Sequence, residues 1–157
     1  MKPAVLGMAA LIAATTALSA AEVEPGKVAF AEDGSVAMSL TGVPGDPAAG
    51  RKAIGSKKIG NCVACHQITE MSDVPFHGEI GPSLDGVGER YTEAQIRGIV
   101  TDAKHTFADT VMPSFYKVDG FIRPGKRYTG KAADETFGPL LEAQQIEDVV
   151  SYLVTLK

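Results

Sequence analysis

Gly60-Asn61-Cys62-Val63-Ala64-Cys65-His66 holds the only two cysteines of a 157-residue chain. Two thiols three positions apart with a histidine directly after form the C-x-x-C-H spacing of covalent c-type haem attachment. The chemistry calls for these residue types. The thiols add across the porphyrin vinyl groups as thioethers, and the adjoining imidazole reaches the iron from one side. Two intervening residues let one turn present both sulfurs to the macrocycle edge. The rival readings are a zinc half-site, a thioredoxin-like dithiol and a structural disulfide. Zinc needs about four ligands, and no second Cys pair or His-x-His cluster exists to complete them. A redox dithiol belongs after a strand in a βαβ pattern, which the sequence lacks.

Composition supports one modest domain: 45% of residues are hydrophobic, none is Trp, and the formal net charge is −4. That charge argues against a nucleic-acid partner, whose phosphates need neutralising by basic residues. The N-terminus reads as an export signal. Met1-Lys2-Pro3 is weakly basic, Val5 to Leu18 is apolar, and Ser19-Ala20-Ala21 fits a small-x-small cleavage site. Residues 1–21 are therefore expected to be a signal peptide, with no membrane span in the mature chain. In an oxidising compartment two close thiols would otherwise pair as a disulfide, so export and C-x-x-C-H together point to a haem protein of a bacterial periplasm.

Residues 22–45 do not look helical. Val28, Phe30, Val36, Met38 and Leu40 alternate around Asp33-Gly34, which predicts either a β-hairpin or an extended arm. Asp46-Pro47 then offers an N-cap and a first helical residue, opening the 46–157 domain. In this first helix Gly50 and Ile54 share a face suited to close contact with another helix. Gly81 to Gly88 packs three glycines around Pro82, a tightly turning loop. Thr92 and Gln95 have capping-box spacing and predict a helix to Asp102. The final segment carries Ile146, Val149, Val150 and Leu153 on one amphipathic stripe.

A haem held by one histidine has a second axial position. The candidates are Met38, Met71, Met112, His77 and His105. Met71 follows His66 by too few residues to reach the far face, and Met38 lies in the arm. Met112 precedes Pro113, which favours an extended backbone at the methionine. It is the expected ligand, with bis-histidine ligation through His105 or His77 as the alternative. Arg90 and Tyr91 are candidates for the haem propionates. Arg51, Lys52, Lys57 and Lys58 beside the haem motif, and the cluster Arg123, Lys126, Arg127 and Lys131, are candidate docking charges, although a solvated face is the commoner account of such runs. No residue stands out as catalytic.

A helix bearing Gly50, then C-x-x-C-H, then Gly81-Pro82-x-Leu84-x-Gly86-Val87-Gly88, Met112-Pro113 and a closing helix resembles class I cytochrome c. The resemblance implies an all-α fold, one covalent haem c on Cys62 and Cys65, and His66 and Met112 as axial iron ligands. It further implies that the Pro82 carbonyl accepts a hydrogen bond from His66, and that Gly50 and Ile54 meet Val149, Tyr152 and Leu153. The arm leading into Leu40-Thr41-Gly42-Val43-Pro44-Gly45, and Met112-Pro113-Ser114-Phe115-Tyr116 before the 113–141 insertion, resemble the SoxX family. That family implies a non-catalytic electron-accepting subunit of a thiosulfate-oxidising complex of the L-cysteine S-thiosulfotransferase type. Its partners would be a SoxA-type haem subunit in a heterodimer, a SoxYZ-type carrier protein and a downstream electron acceptor. The contrasting expectations are a freestanding diffusible cytochrome and a sensing or catalytic haem with an open axial position.

Overall fold

Asp46 and Pro47 start the first helix as their chemistry predicts. The Asp46 carboxylate accepts from the Ala48 amide at 2.9 Å, and Pro47 sits where no backbone donor is needed. A computed structural model describes residues 21–125 and 130–157, so the expected signal peptide lies outside the described residues save for its last position. Among the described residues four α-helices follow one another: α1 (Pro47–Gly55), α2 (Val87–Arg90), α3 (Glu93–Asp102) and α4 (Ala143–Leu153). Short 3₁₀ turns join them, and among the described residues there is no strand. The fold is the all-α one expected of a class I cytochrome c.

Both long helices after the haem motif begin with reciprocal caps. Thr92 Oγ1 accepts from the Gln95 amide, and Gln95 Oε1 accepts from the Thr92 amide at 3.0 Å. Glu142 and Gln145 repeat the device on α4. Helix α1 then crosses α4 at backbone distance. A Cβ on Gly50 would lie 1.9 Å from the Asp148 carbonyl oxygen, so only glycine lets the two backbones meet there. Around that point Ile54, Val149, Val150 and Leu153 are buried. Each fully buried aliphatic side chain contributes roughly 1.5–3 kcal/mol.

The arm is integral to this core. Its Asp33-Gly34 turn forms, with Gly34 at φ 80° and Ala31 donating to the Ser35 carbonyl at 2.8 Å. The extended alternative nevertheless wins over a hairpin ladder, because the next backbone groups find partners on α3. The Val36 amide donates to the Ala94 carbonyl at 2.9 Å, and the Val36 carbonyl accepts from Arg97 at 3.1 Å. Gly98 permits the approach: a Cβ there would stand 1.9 Å from the Gly34 carbonyl oxygen.

Beneath the arm lies a buried ion pair. Arg97 and Glu147, each 4% exposed, meet at 3.0 Å, and Glu147 also accepts from the Leu40 amide at 2.7 Å. The pair ties α3, α4 and the arm together, with Glu93 as a second, exposed partner of Arg97. The insertion after Met112 is closed at its base by Leu141 N–H donating to the Phe115 carbonyl at 3.0 Å, which brings two buried side chains to the centre of the molecule. Farther out, Phe121 and Phe137 pack edge to face.

Candidate haem site

The C-x-x-C-H segment folds as a single tight turn hung from the end of α1. Asn61 adopts the left-handed conformation (φ 51°), which asparagine tolerates better than most residues. It leads into the 3₁₀ turn Cys62–Ala64, where the amides of Cys65 and His66 donate to the Cys62 carbonyl. Gly60 N–H donates to the Ala53 carbonyl at 3.0 Å, and Val63 is buried behind the turn. Cys62, Cys65 and His66 thereby face the same cavity of about 720 Å³. Burial pushes the Cys62 thiol up to about 12. A redox dithiol needs an attacking thiol with a lowered pKa, so this environment disfavours that rival.

On one side of the cavity the histidine is braced. His66 Nδ1 lies 2.7 Å from the Pro82 carbonyl oxygen. Because the carbonyl can only accept, Nδ1 carries the proton and Nε2 keeps the lone pair that a metal requires. Gly81 makes room for the ring, since a Cβ there would stand 2.3 Å from His66 Cε1. The loop bearing Pro82 is itself fixed. Arg90 donates to the carbonyls of Ser83 and Asp85, and the Asp85 carboxylate accepts from the amide and hydroxyl of Thr69 at 2.8 and 2.6 Å. Those Thr69 hydrogen bonds hold the Asp85 carboxyl below its ordinary pKa. Arg90 and Tyr91 both line the cavity.

Met112 stands on the cavity wall, half-buried. The other axial candidates do not. Met38 is 76% exposed, whereas Met71 is buried in the core beside Gly55 and Val74. His77 Nδ1 accepts from the Ile68 amide at 3.2 Å. His105 stacks on Phe30 with ring centroids 3.8 Å apart. Among the described residues, His66 and Met112 are the one imidazole and the one thioether lining the cavity. The rest of the wall is mainly apolar, with Ile54, Val100, Phe115, Leu141, Val149 and Leu153 drawn from all the long elements.

Two thiols, an imidazole and a thioether around an apolar slot, with a glycine cradle for the ring, fit a covalently attached haem. The cytochrome c family model matches residues 48–157. The chain belongs to the cytochrome c family. A chain of the crystal structure of SoxXA from P. pantotrophus is similar to this cytochrome at 57% identity, with a TM-score of 0.83. The match covers 87% of this cytochrome and 99% of that chain, so the relationship is to SoxX within the wider family. A search of curated proteins gave no match. The cofactor is a covalently bound haem c.

The charges singled out from sequence have varied fates in this cytochrome. Arg51 pairs with Asp73, and Lys57 lies 5.2 Å from the Phe76 ring centroid. Arg123 donates to the Gly130 carbonyl, while Lys126 and Arg127 lie outside the described residues. Sequence reading overlooked Arg90 as a brace for the Pro82 loop, and it overlooked Asp102 altogether. A signal for the latter was present: a carboxylate at the C-terminal end of a helix opposes the helix dipole and needs a specific partner.

Proposed function

We propose that this cytochrome is the electron-transfer subunit of a SoxAX-type complex, with Cys62 and Cys65 as the thioether anchors and His66 and Met112 as the axial ligands. The observation that carries the reading is the 57% identity across 99% of a chain of SoxXA. The partner is a SoxA-type haem subunit. The electrons are those released when the complex joins thiosulfate oxidatively to a cysteine of a SoxYZ-type carrier, and a downstream acceptor removes them. Residues 1–21 direct export to the periplasm; among the described residues no helix is long and apolar enough to cross a membrane.

When bound, the haem supplies a one-electron ferrous/ferric couple. The chain's own residues do the rest. Pro82 orients the His66 ring and strengthens it as a donor. Met112 would present a thioether to the same cavity as a second iron ligand, and a methionine paired with histidine favours a raised potential. Apolar side chains exclude water, so little reorganises as charge changes. At the mouth Ile80 and Val111 line the cavity yet are 73% and 84% exposed, an apolar rim suited to a partner's redox centre.

Two measurements test this. Met112→Ala should change the reduced spectrum and lower the potential; an unchanged spectrum and potential would remove Met112 as ligand. Native purification from a periplasmic extract should return the chain with a second haem subunit. A chain that elutes alone and is reduced without one is instead the freestanding carrier.

A further inference from the structure

The segment carrying Met112 is fastened to the C-terminal end of α3 by a small polar cluster centred on Asp102. This carboxylate is 4% exposed. Its Oδ1 accepts from Ser114 Oγ at 2.7 Å and from the Lys104 amide at 3.2 Å, and its Oδ2 accepts from Lys117 Nζ at 3.1 Å. Lys104, held in turn beside Asp102, extends its ammonium 2.9 Å to the Met112 carbonyl oxygen. The Tyr116 amide donates to the Thr101 carbonyl at 3.0 Å. Residues on both sides of Pro113 are thus bonded to one helix end, and the Met112 backbone itself is one of the bonded groups.

We infer that Asp102 is a positioning residue that keeps the Met112 thioether on the cavity wall. The inference rests on Met112 being the axial ligand. The physical case is one of alternatives. Met112 is half-buried and its neighbour Val111 is 84% exposed, so side-chain packing alone holds this stretch weakly. A buried charged acceptor with two side-chain donors and one backbone donor is costly to leave unsatisfied. Swinging the Met112 segment away from the cavity would separate Ser114 and Lys117 from Asp102, and would pull Met112 from Lys104. The cluster therefore opposes opening directly. It also explains why a carboxylate is tolerated at a helix C-terminus, where the dipole disfavours it.

Imidazole added to the oxidised holo-cytochrome reads this opening, because it can bind the iron only where the methionine has left. Ser114→Ala and Asp102→Asn should each tighten imidazole binding roughly tenfold or more, as expected for losing a hydrogen bond to a buried charge. They should also weaken the far-red thioether-to-iron absorption band. Ser114→Thr, which keeps the hydroxyl, should restore both. Val36→Ala, at a buried arm residue away from the cavity, should lower stability without altering imidazole affinity. The proposal is overturned if Ser114→Ala and Asp102→Asn bind imidazole as the unmodified protein does. It is equally overturned if Val36→Ala tightens binding as much as they do. Met112→Ala separates the two layers: if it retains the far-red band, the ligation reading itself fails; if it loses the band while Asp102→Asn keeps full resistance to imidazole, only the positioning role fails.

Discussion

Replacing Gly81 by alanine perturbs the histidine side of the site with a single methyl group. The new Cβ would lie 2.3 Å from His66 Cε1, 2.6 Å from Nδ1 and 2.9 Å from Nε2, where ordinary contact begins at 3.4 Å. The shortfall at Cε1 is about 1.1 Å, the difference of those two distances. Gly81 does not have a positive φ, so backbone strain plays no part and the ring alone is the obstacle. The ring is bonded to the very next residue at 2.7 Å, and it cannot retreat from the added methyl without stretching or tilting that bond. Overpacking of this kind costs about 1–3 kcal/mol, and the weakened hydrogen bond adds about 1 kcal/mol. The bond to Pro82 makes His66 a stronger donor and so favours the ferric state. Weakening it by about 1 kcal/mol should raise the one-electron potential by up to roughly 40 mV, from 59 mV per tenfold change. Redox titration of the holo-protein gives the potential, and urea unfolding gives the stability. A variant with the potential and stability of its parent would refute the argument that Gly81 and Pro82 together fix the imidazole.

Gly50→Ala should destabilise by about 2 kcal/mol, the clash with the Asp148 carbonyl outweighing a gain of about 1 kcal/mol in helix propensity; Gly26→Ala, which meets nothing within 4 Å, should be near neutral in the same urea titration. Glu147→Gln leaves the buried Arg97 guanidinium short of its main counter-charge and should cost about 3 kcal/mol by denaturant unfolding. Tyr116 has its phenol pushed above the ordinary range, first by burial and then by its hydrogen bond to Glu22. A folded pKa above the unfolded one gives stability that is full below about pH 10 and is lost as pH rises towards the folded value. Tyr116→Phe should therefore show a shallower alkaline loss of stability than the parent. The haem-free Cys62→Ser, Cys65→Ser chain should lack a cooperative unfolding transition. Without the haem, Ile54, Val100, Leu141, Val149 and Leu153 would lose the apolar group that fills the slot between them. A sharp calorimetric transition would contradict this.

Local chemistry was legible wherever one or two residues determine the outcome. Asp46-Pro47 and Thr92 with Gln95 announced two helix starts, and Gly50 announced a helix crossing. Met112-Pro113 could be ranked above Met38 and Met71 by chain reach, and the cavity wall carries Met112 and neither of the others. What escaped notice depends on residues far apart in sequence. Arg97 and Glu147 drew no notice, since periodicity cannot reveal a partner 50 residues away. Helix α2 is only four residues long inside a glycine-rich run, too short for any periodic signal. The arm's hairpin alternation was real as a pattern, but α3 outcompeted the partner strand for its backbone groups.

The bond between the Leu40 amide and Glu147 joins positions 107 residues apart. Contacts of that span carry the largest loop-closure cost and form late. Val149 and Leu153 on α4 are one wall of the cavity, and Ile54 on α1 is another. Until the two chain ends meet, the thiols of Cys62 and Cys65 therefore stand beside an unfinished pocket. The same meeting of arm, α1 and α4 that closes the chain also completes the pocket wall around Cys62 and Cys65.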